Sequence, residues 1–403
     1  MAQPNPAETQ STTPSKPRGR ERLIDLLRQW PWIYPRGIEP SARDWIKRSQ
    51  SRLGWYAGLR SDWHEAIYPG GISVHDHPAG LSDEARHFFD QVASRRYPEA
   101  SMCFFSGAHL FSNEGMVLTR DNRVLAEFYH QFGTRPLTKV IRSRPFGFTS
   151  AKVRRIDEAI GLLAAPQGWN YYHWLFDVLP RWHLLERWRG VLGKYAVPGN
   201  VSAVQLEMLR LLGVERDQLL LLSENQRLRC QNLYVPSLPG SEGCSPPWVV
   251  PFLREKFLPA AVGFAGQGPL IYIVRGASAQ RPVLNEPYLI ARLERRGFKA
   301  VAPEKLSFPQ QVALFRDARV VVAAHGAGLA NLAFATKIAV LELFSADYAR
   351  ADCYFTLARQ AGYFYDCWLD SRTASPAKSW GAITADLDAM EQKLDGLQRA
   401  LDR

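Results

Sequence analysis

The segment GWNYYHWLFDVLPRW places His173 and Asp177 four residues apart, on one face of a helix that Asn170 is suited to cap. An imidazole with a carboxylate one turn away is an acid/base pair. Asp177 can orient His173 and raise its basicity, or can itself be the base. Arg181, a further turn on, can support the pair or neutralise Asp177 as an ordinary ion pair.

A second cluster sits in RVVVAAHGAGLANLAFA, where an apolar strand runs into His325 and a Gly326-x-Gly328 turn, and a helix carrying Leu329 and Asn331 begins at once. Glycines let backbone approach an anion, and a helix N-terminus presents free N–H groups to it, so a phosphate fits there. Arg275 ends the strand LIYIVR, with Arg281 and Asn285 in the following loop. Strand ends face the ligand crevice of a doubly wound sheet, which places Arg275 to meet a diphosphate. Glu342, at the end of AVLELF, is positioned to accept hydrogen bonds from ribose hydroxyls. The turn also approaches a dinucleotide fingerprint, but its third glycine is replaced by Asn331, which puts a nicotinamide oxidoreductase second. On the helix SFPQQVALFRDA, Phe315 reads as core and Gln311 as a contact.

No metal site is predicted. His75-Asp76-His77 is followed by Pro78 in a loop without further ligands, and Asp386 and Asp388 lie in an amphipathic final helix. The five cysteines form no CxxC or Cys/His ligand spacing, which reads as a reducing compartment.

The elements that must position these groups alternate. IGLLAA reads as a strand, NYYHWLFDVLPRWHLLERW as a helix, KYAVP as a strand, SAVQLEMLRLLG as a helix, and LLLL and LYVP as strands. The rhythm restarts at LIYIVR and runs through three more strand and helix pairs to AVLELF. Such alternation predicts parallel sheets covered by helices. Upstream, GMVLTRDNRVLAEFY predicts a hairpin around an Asp-Asn turn. The expected organisation is a disordered tail over 1–20, an acceptor-side domain over 21–260 and a second αβ domain over 261–375. A closing helix over 376–403 packs back on the body. The stretch with Trp30, Trp32, Trp45, Trp55 and Trp63 is expected as an appendage whose aromatics serve packing.

At 403 residues and 46% hydrophobic content the chain can build large cores, which excludes a wholly disordered or disulfide-stapled protein. The formal charge of +11 favours anionic partners, but no block of like charges marks a nucleic-acid arm. The first residues lack the apolar region of a signal peptide, so a cytoplasmic protein is expected, with peripheral contact at the inner membrane face.

Five ordered blocks carry a resemblance: N-Y-Y-H-W-L-F-D-V-L-P-R at 170–181, Y-I-V-R at 272–275, R-P-V-L-N-E at 281–286, H-G-A-G-L-A-N at 325–331 and L-E-L at 341–343. Over about residues 115–365 the chain resembles glycosyltransferase family 61. The resemblance implies a GT-B fold, two Rossmann-like domains facing a cleft, and an inverting transfer from a UDP-sugar without an essential metal or other cofactor. It implies a glycan or lipid-diphosphate-linked acceptor in capsular or exopolysaccharide biosynthesis. By motif, Asn170, His173 and Asp177 fall on the acceptor-side helix. Arg275, Asn285, His325, Gly326, Gly328, Leu329, Asn331 and Glu342 fall on the donor side. Many members carry paired arginines where this chain has Gln280-Arg281. A catalytically silent nucleotide-sugar binder that scaffolds a polysaccharide assembly is the competing class.

Overall fold

The computed structural model describes residues 35–53, 62–77, 83–129, 153–224, 226–240, 243–276, 281–345, 353–370 and 381–402. The expected tail, Trp30, Trp32, Trp55 and Gln280 lie outside the described residues. In chain order the strands are β1 (Gly37–Glu39), β2 (Trp63–Tyr68), β3 (Gly71–Val74), β4 (Ser94–Tyr97), β5 (Ala100–Phe111), β6 (Met116–Leu118), β7 (Arg123–Leu125) and β8 (Val153–Leu162). There follow β9 (Lys194–Pro198), β10 (Leu219–Leu222), β11 (Arg227–Pro236), β12 (Leu270–Ile273), β13 (Lys299–Val301), β14 (Val320–Ala324), β15 (Ala339–Ser345) and β16 (Phe364–Asp370).

They build a nine-stranded mixed sheet, ordered β1-β7-β6-β5-β11-β8-β9-β10 with β2 also on β5, a five-stranded sheet, ordered β13-β12-β14-β15-β16, and the small pair β3-β4. The five-stranded sheet is parallel throughout, as is the β11-β8-β9-β10 side of the larger one. Parallel strands are covered on both faces and therefore read as unbroken apolar runs, which is why KYAVP, LLLL and RVVVAA stand out in the sequence. The helix Ala203–Leu211 starts at a capping box between Ser202 and Gln205.

The front of the chain corrects the expected appendage. β1, β2 and β5–β7 hydrogen-bond into the larger sheet, with β5 antiparallel to β11 along nearly its whole length. The aromatics there do serve packing: Trp63 stacks on Phe104 at 5.9 Å and on Trp188 at 5.7 Å, and Trp45 packs 6.0 Å from Phe105. The predicted hairpin is β6-β7, with Asn122 left-handed at φ 65° in its turn.

Strand alternation sorts the core. In the five-stranded sheet Ile271, Val321, Ala323, Val340 and Phe344 point inward, while Tyr272, Val320, Val322, Leu341 and Leu343 point outward. The outward set is roofed by Leu289 and Leu293 of the helix Glu286–Glu294 and by Met390, Leu394, Leu397 and Leu401 of the helix Leu387–Asp402. The closing helix thus covers its own sheet. Asp386 caps it by accepting from the N–H groups of Asp388 and Ala389. The inward set belongs to a cluster that continues without a break into Trp174, Leu175, Val178 and Trp182 under the larger sheet. Helices from both halves meet in it, so one core joins the sheets. The stretch at the expected domain boundary near 260 is pinned: Arg316 donates to the carbonyls of Ala261 and Phe264, and Asp317 accepts from the Gly266 N–H.

Candidate active site

The loop after β8 ends at Asn170, whose side-chain oxygen accepts from the Tyr172 N–H and starts the helix as expected. After Tyr171–His173 the helix widens into a π-helical turn over Trp174–Val178, and α-helix resumes at Leu179–Leu185. Such bulges accompany functional sites because they re-aim side chains. Here the turn carries Asp177, and its Oδ2 lies 2.7 Å from His173 Nδ1, both side chains nearly buried. With Nδ1–H held by the carboxylate, Nε2 is the nitrogen whose lone pair can take a proton.

Arg181 does not form the ion pair the sequence suggested. It is fully buried and donates to the backbone carbonyls of Pro236, at 2.7 Å, and of Ala164, tying the ends of β11 and β8 together behind the helix. Burial brings its pKa down to about 9, partly offset by the charge of Asp177. Its support for the site is positional.

Across the junction, β14 and β15 pair in parallel with Ala323 opposite Glu342, which sets His325 beside that carboxylate. His325 Nδ1 lies 2.6 Å from Glu342 Oε1, and Tyr365 O–H donates to Oε2 at 2.5 Å. Both oxygens of this fully buried carboxylate are engaged. Glu342 therefore orients His325 and does not meet ribose hydroxyls, which also removes the acidic anchor of the nicotinamide reading.

Asn285 and Asn331 are likewise structural. Asn285 exchanges two hydrogen bonds with the backbone of Ala385, fastening the chain ahead of the closing helix. Asn331 accepts from Tyr171 O–H at 2.6 Å and donates to Gln311 and to the Gly328 carbonyl, joining the two halves. Gln311 is thus a partner of Asn331, and Phe315 is core. Leu329 is fully buried, so its side chain is packing. The element after Gly326 is a 3₁₀ helix over Ala327–Phe334, with Gly326 extended at φ 176°.

Arg275 and Arg281 do converge. A Cβ on Gly326 would come within 2.6 Å of Arg275 Nη1, so this glycine admits the guanidinium to the strand end. Arg281 Nε donates to the His325 carbonyl at 3.0 Å. Burial and the charge of Arg281 together push the Arg275 pKa down from the ordinary arginine value. An anion between two guanidinium groups relieves that repulsion, and a diphosphate matches their planar donors.

Three groups escaped the sequence reading. Glu286, buried at the start of its helix, accepts from the N–H groups of Arg275 and Gly276, at 2.6 and 2.8 Å, and from Tyr272 O–H. It lies within the R-P-V-L-N-E block, the one signal that could have drawn attention to it. Tyr172 and Tyr354 bridge the clusters: their rings are 5.7 Å apart, Tyr172 is 5.4 Å from His173, and Tyr354 is 5.2 Å from His325. Among the described residues no group of three His, Cys, Asp or Glu side chains is gathered as for a metal ion.

One imidazole–carboxylate pair and one arginine pair, borne on different sheets, thus share a junction lined by tyrosines. Residues 171–341 match the glycosyltransferase 61 family model, a span that begins at the helix of His173 and ends on the strand of Glu342. Over 92 residues the chain is 37% identical to the EGF domain-specific O-linked N-acetylglucosamine transferase of Drosophila melanogaster, a match covering 22% of this chain and 17% of that protein. The matched span contains His173, Asp177, Arg275, Arg281 and His325, and over it the chain is similar to glycosyltransferase family 61.

Proposed function

We propose that the protein transfers a sugar from a UDP-sugar to a hydroxyl of a glycan or lipid-linked acceptor, with inversion and without a catalytic metal, in the biosynthesis of a capsular or other cell-surface polysaccharide. The carrying observation is the placement of His173–Asp177 on one sheet's helix and of Arg275 and Arg281 at the strand ends of the other. His173 Nε2 takes the proton of the acceptor hydroxyl, and Asp177 holds the imidazole and balances the charge that forms. The acceptor oxygen bonds to the anomeric carbon as the carbon–oxygen bond to the diphosphate breaks, and the electron pair leaves with the diphosphate. Arg275 and Arg281 meet that growing charge. A base and a leaving-group site on opposite sides of the sugar favour displacement from the rear, hence inversion. Two arginines at the diphosphate supply the charge that a metal supplies elsewhere.

The family-model match supports glycosyl transfer, and the name of the relative makes UDP-N-acetylglucosamine a reasonable first donor to try. The test is a calorimetric titration of UDP in chelator against wild type, Arg275→Ala and Asp177→Asn. Binding that survives chelator, weakens at least tenfold in Arg275→Ala and is retained in Asp177→Asn is expected. Binding only with a divalent ion, or none by folded wild type, ends this reading.

A further inference from the structure

We propose that the indole of Trp169 is the stacking platform for a pyranose ring of the acceptor. This deepens the acceptor-side reading of His173–Asp177 and rests on it. Trp169 is 57% exposed, while Trp174 and Trp182 of the adjoining helix are fully or almost fully buried. A tryptophan left in water by a mobile loop means little, but this loop is held from several sides. The Gly168 N–H donates to the Ala165 carbonyl at 3.0 Å and the Asn170 N–H to that of Gln167 at 2.8 Å. Gln167 takes a left-handed φ of 57° between them. From beneath, the buried amide of Gln205 donates to the carbonyls of Gly168 and Trp169, at 3.2 and 3.3 Å. The backbone is fixed and the indole alone stands out, which keeps low the ordering cost of stacking a ligand on it.

Its position gives the occupant. Trp169 directly precedes Asn170, the residue that caps the helix of His173, and four peptide units bound its Cα to within about 15 Å of the His173 Cα. The loop that carries it leaves the carboxyl end of β8, the edge at which ligands meet parallel strands. A pyranose ring has an apolar C–H face and a hydroxyl rim, so an indole face can hold the first while the rim turns toward the imidazole. A nucleobase stacks on indole as well, but the arginines that would hold its diphosphate are carried by the other sheet.

The experiment is saturation-transfer NMR on the full chain with methyl β-glycosides of glucose, galactose and N-acetylglucosamine, run on wild type, Trp169→Ala and Trp169→Phe. UDP calorimetry and thermal unfolding accompany each protein. Wild type is expected to transfer saturation to ring C–H protons of at least one glycoside. Trp169→Ala should lose at least fivefold of that signal and Trp169→Phe keep an intermediate part, at unchanged UDP affinity and melting temperature. Absent transfer in wild type, undiminished transfer in Trp169→Ala, or a tenfold loss of UDP affinity in that variant overturns the proposal, the last by assigning the indole to the nucleobase. Trp169-dependent glycoside signals in a wild type that binds no UDP would uphold this proposal and remove the donor reading alone.

Discussion

Two histidines, each braced at Nδ1 by a carboxylate, stand on either side of Tyr172 and Tyr354, yet their surroundings assign them different work. His173 has Asp177 on its own helix, which suits proton abstraction. The backbone carbonyl of His325 holds Arg281, and its carboxylate partner is sealed, which suits a fixed role beside the arginine pair. His173→Ala is expected to lower kcat by about 10²–10⁴ with UDP affinity retained, in line with loss of a general base. Asp177→Asn should lower kcat while leaving KM for the donor nearly unchanged, because the amide holds the imidazole but cannot balance its charge. Steady-state kinetics with calorimetric UDP binding separate these outcomes from loss of the donor site.

At the scale of elements, the loop after β12 is the part most exposed to a single change. Glu286 satisfies two backbone N–H groups there, and Gln in its place offers one acceptor and a misdirected amino group. Glu286→Gln should cost about 1–3 kcal/mol in chemical denaturation and weaken UDP binding several-fold, since the loop carries Arg275. The β5-β11 pairing makes stability depend on pH. His109 Nδ1 accepts from Arg227 Nε at 3.2 Å, and burial, with the charges of Arg227 and Arg229, pushes its pKa down to about 4. The unfolded chain then binds the proton that the folded chain refuses. Stability is fully present above about pH 6.5 and is lost as pH falls toward 4, by on the order of 2 kcal/mol after allowance for solvent screening. Denaturation midpoints across that window should flatten in His109→Gln.

Much of this architecture could be read in advance because buried parallel strands advertise themselves as apolar runs between breaks, and Asn170, His173 and Asp177 are neighbours along one helix. The partners of Asn285, Asn331 and Glu342 could not be read. Each is set by a strand register or an inter-element contact at a separation of 17 to 160 residues. Nor does the spacing that predicts helix distinguish the π turn at Trp174–Val178, because the sequence pattern changes by less than the backbone does.

On the scale of the whole molecule, what joins the halves is chemical as well as apolar. The hydrogen bond from Tyr171 O–H to Asn331 crosses from the helix of His173 to the 3₁₀ helix that follows β14. Tyr171→Phe leaves the ring and removes that donor, so it should cost about 1 kcal/mol while lowering kcat more than it alters UDP affinity. A double-mutant cycle with Asn331→Ala would show the two changes to be coupled.

The apolar cluster that runs unbroken between the sheets has a consequence for integrity after cleavage. A protease that nicks the Pro/Gly/Ser-rich stretch at 236–247 would sever the chain without parting its pieces, because each fragment would still bury the other's inner helices. The nicked protein should elute as one particle and come apart only in denaturant, so that for this protein a broken backbone and a broken machine are different events.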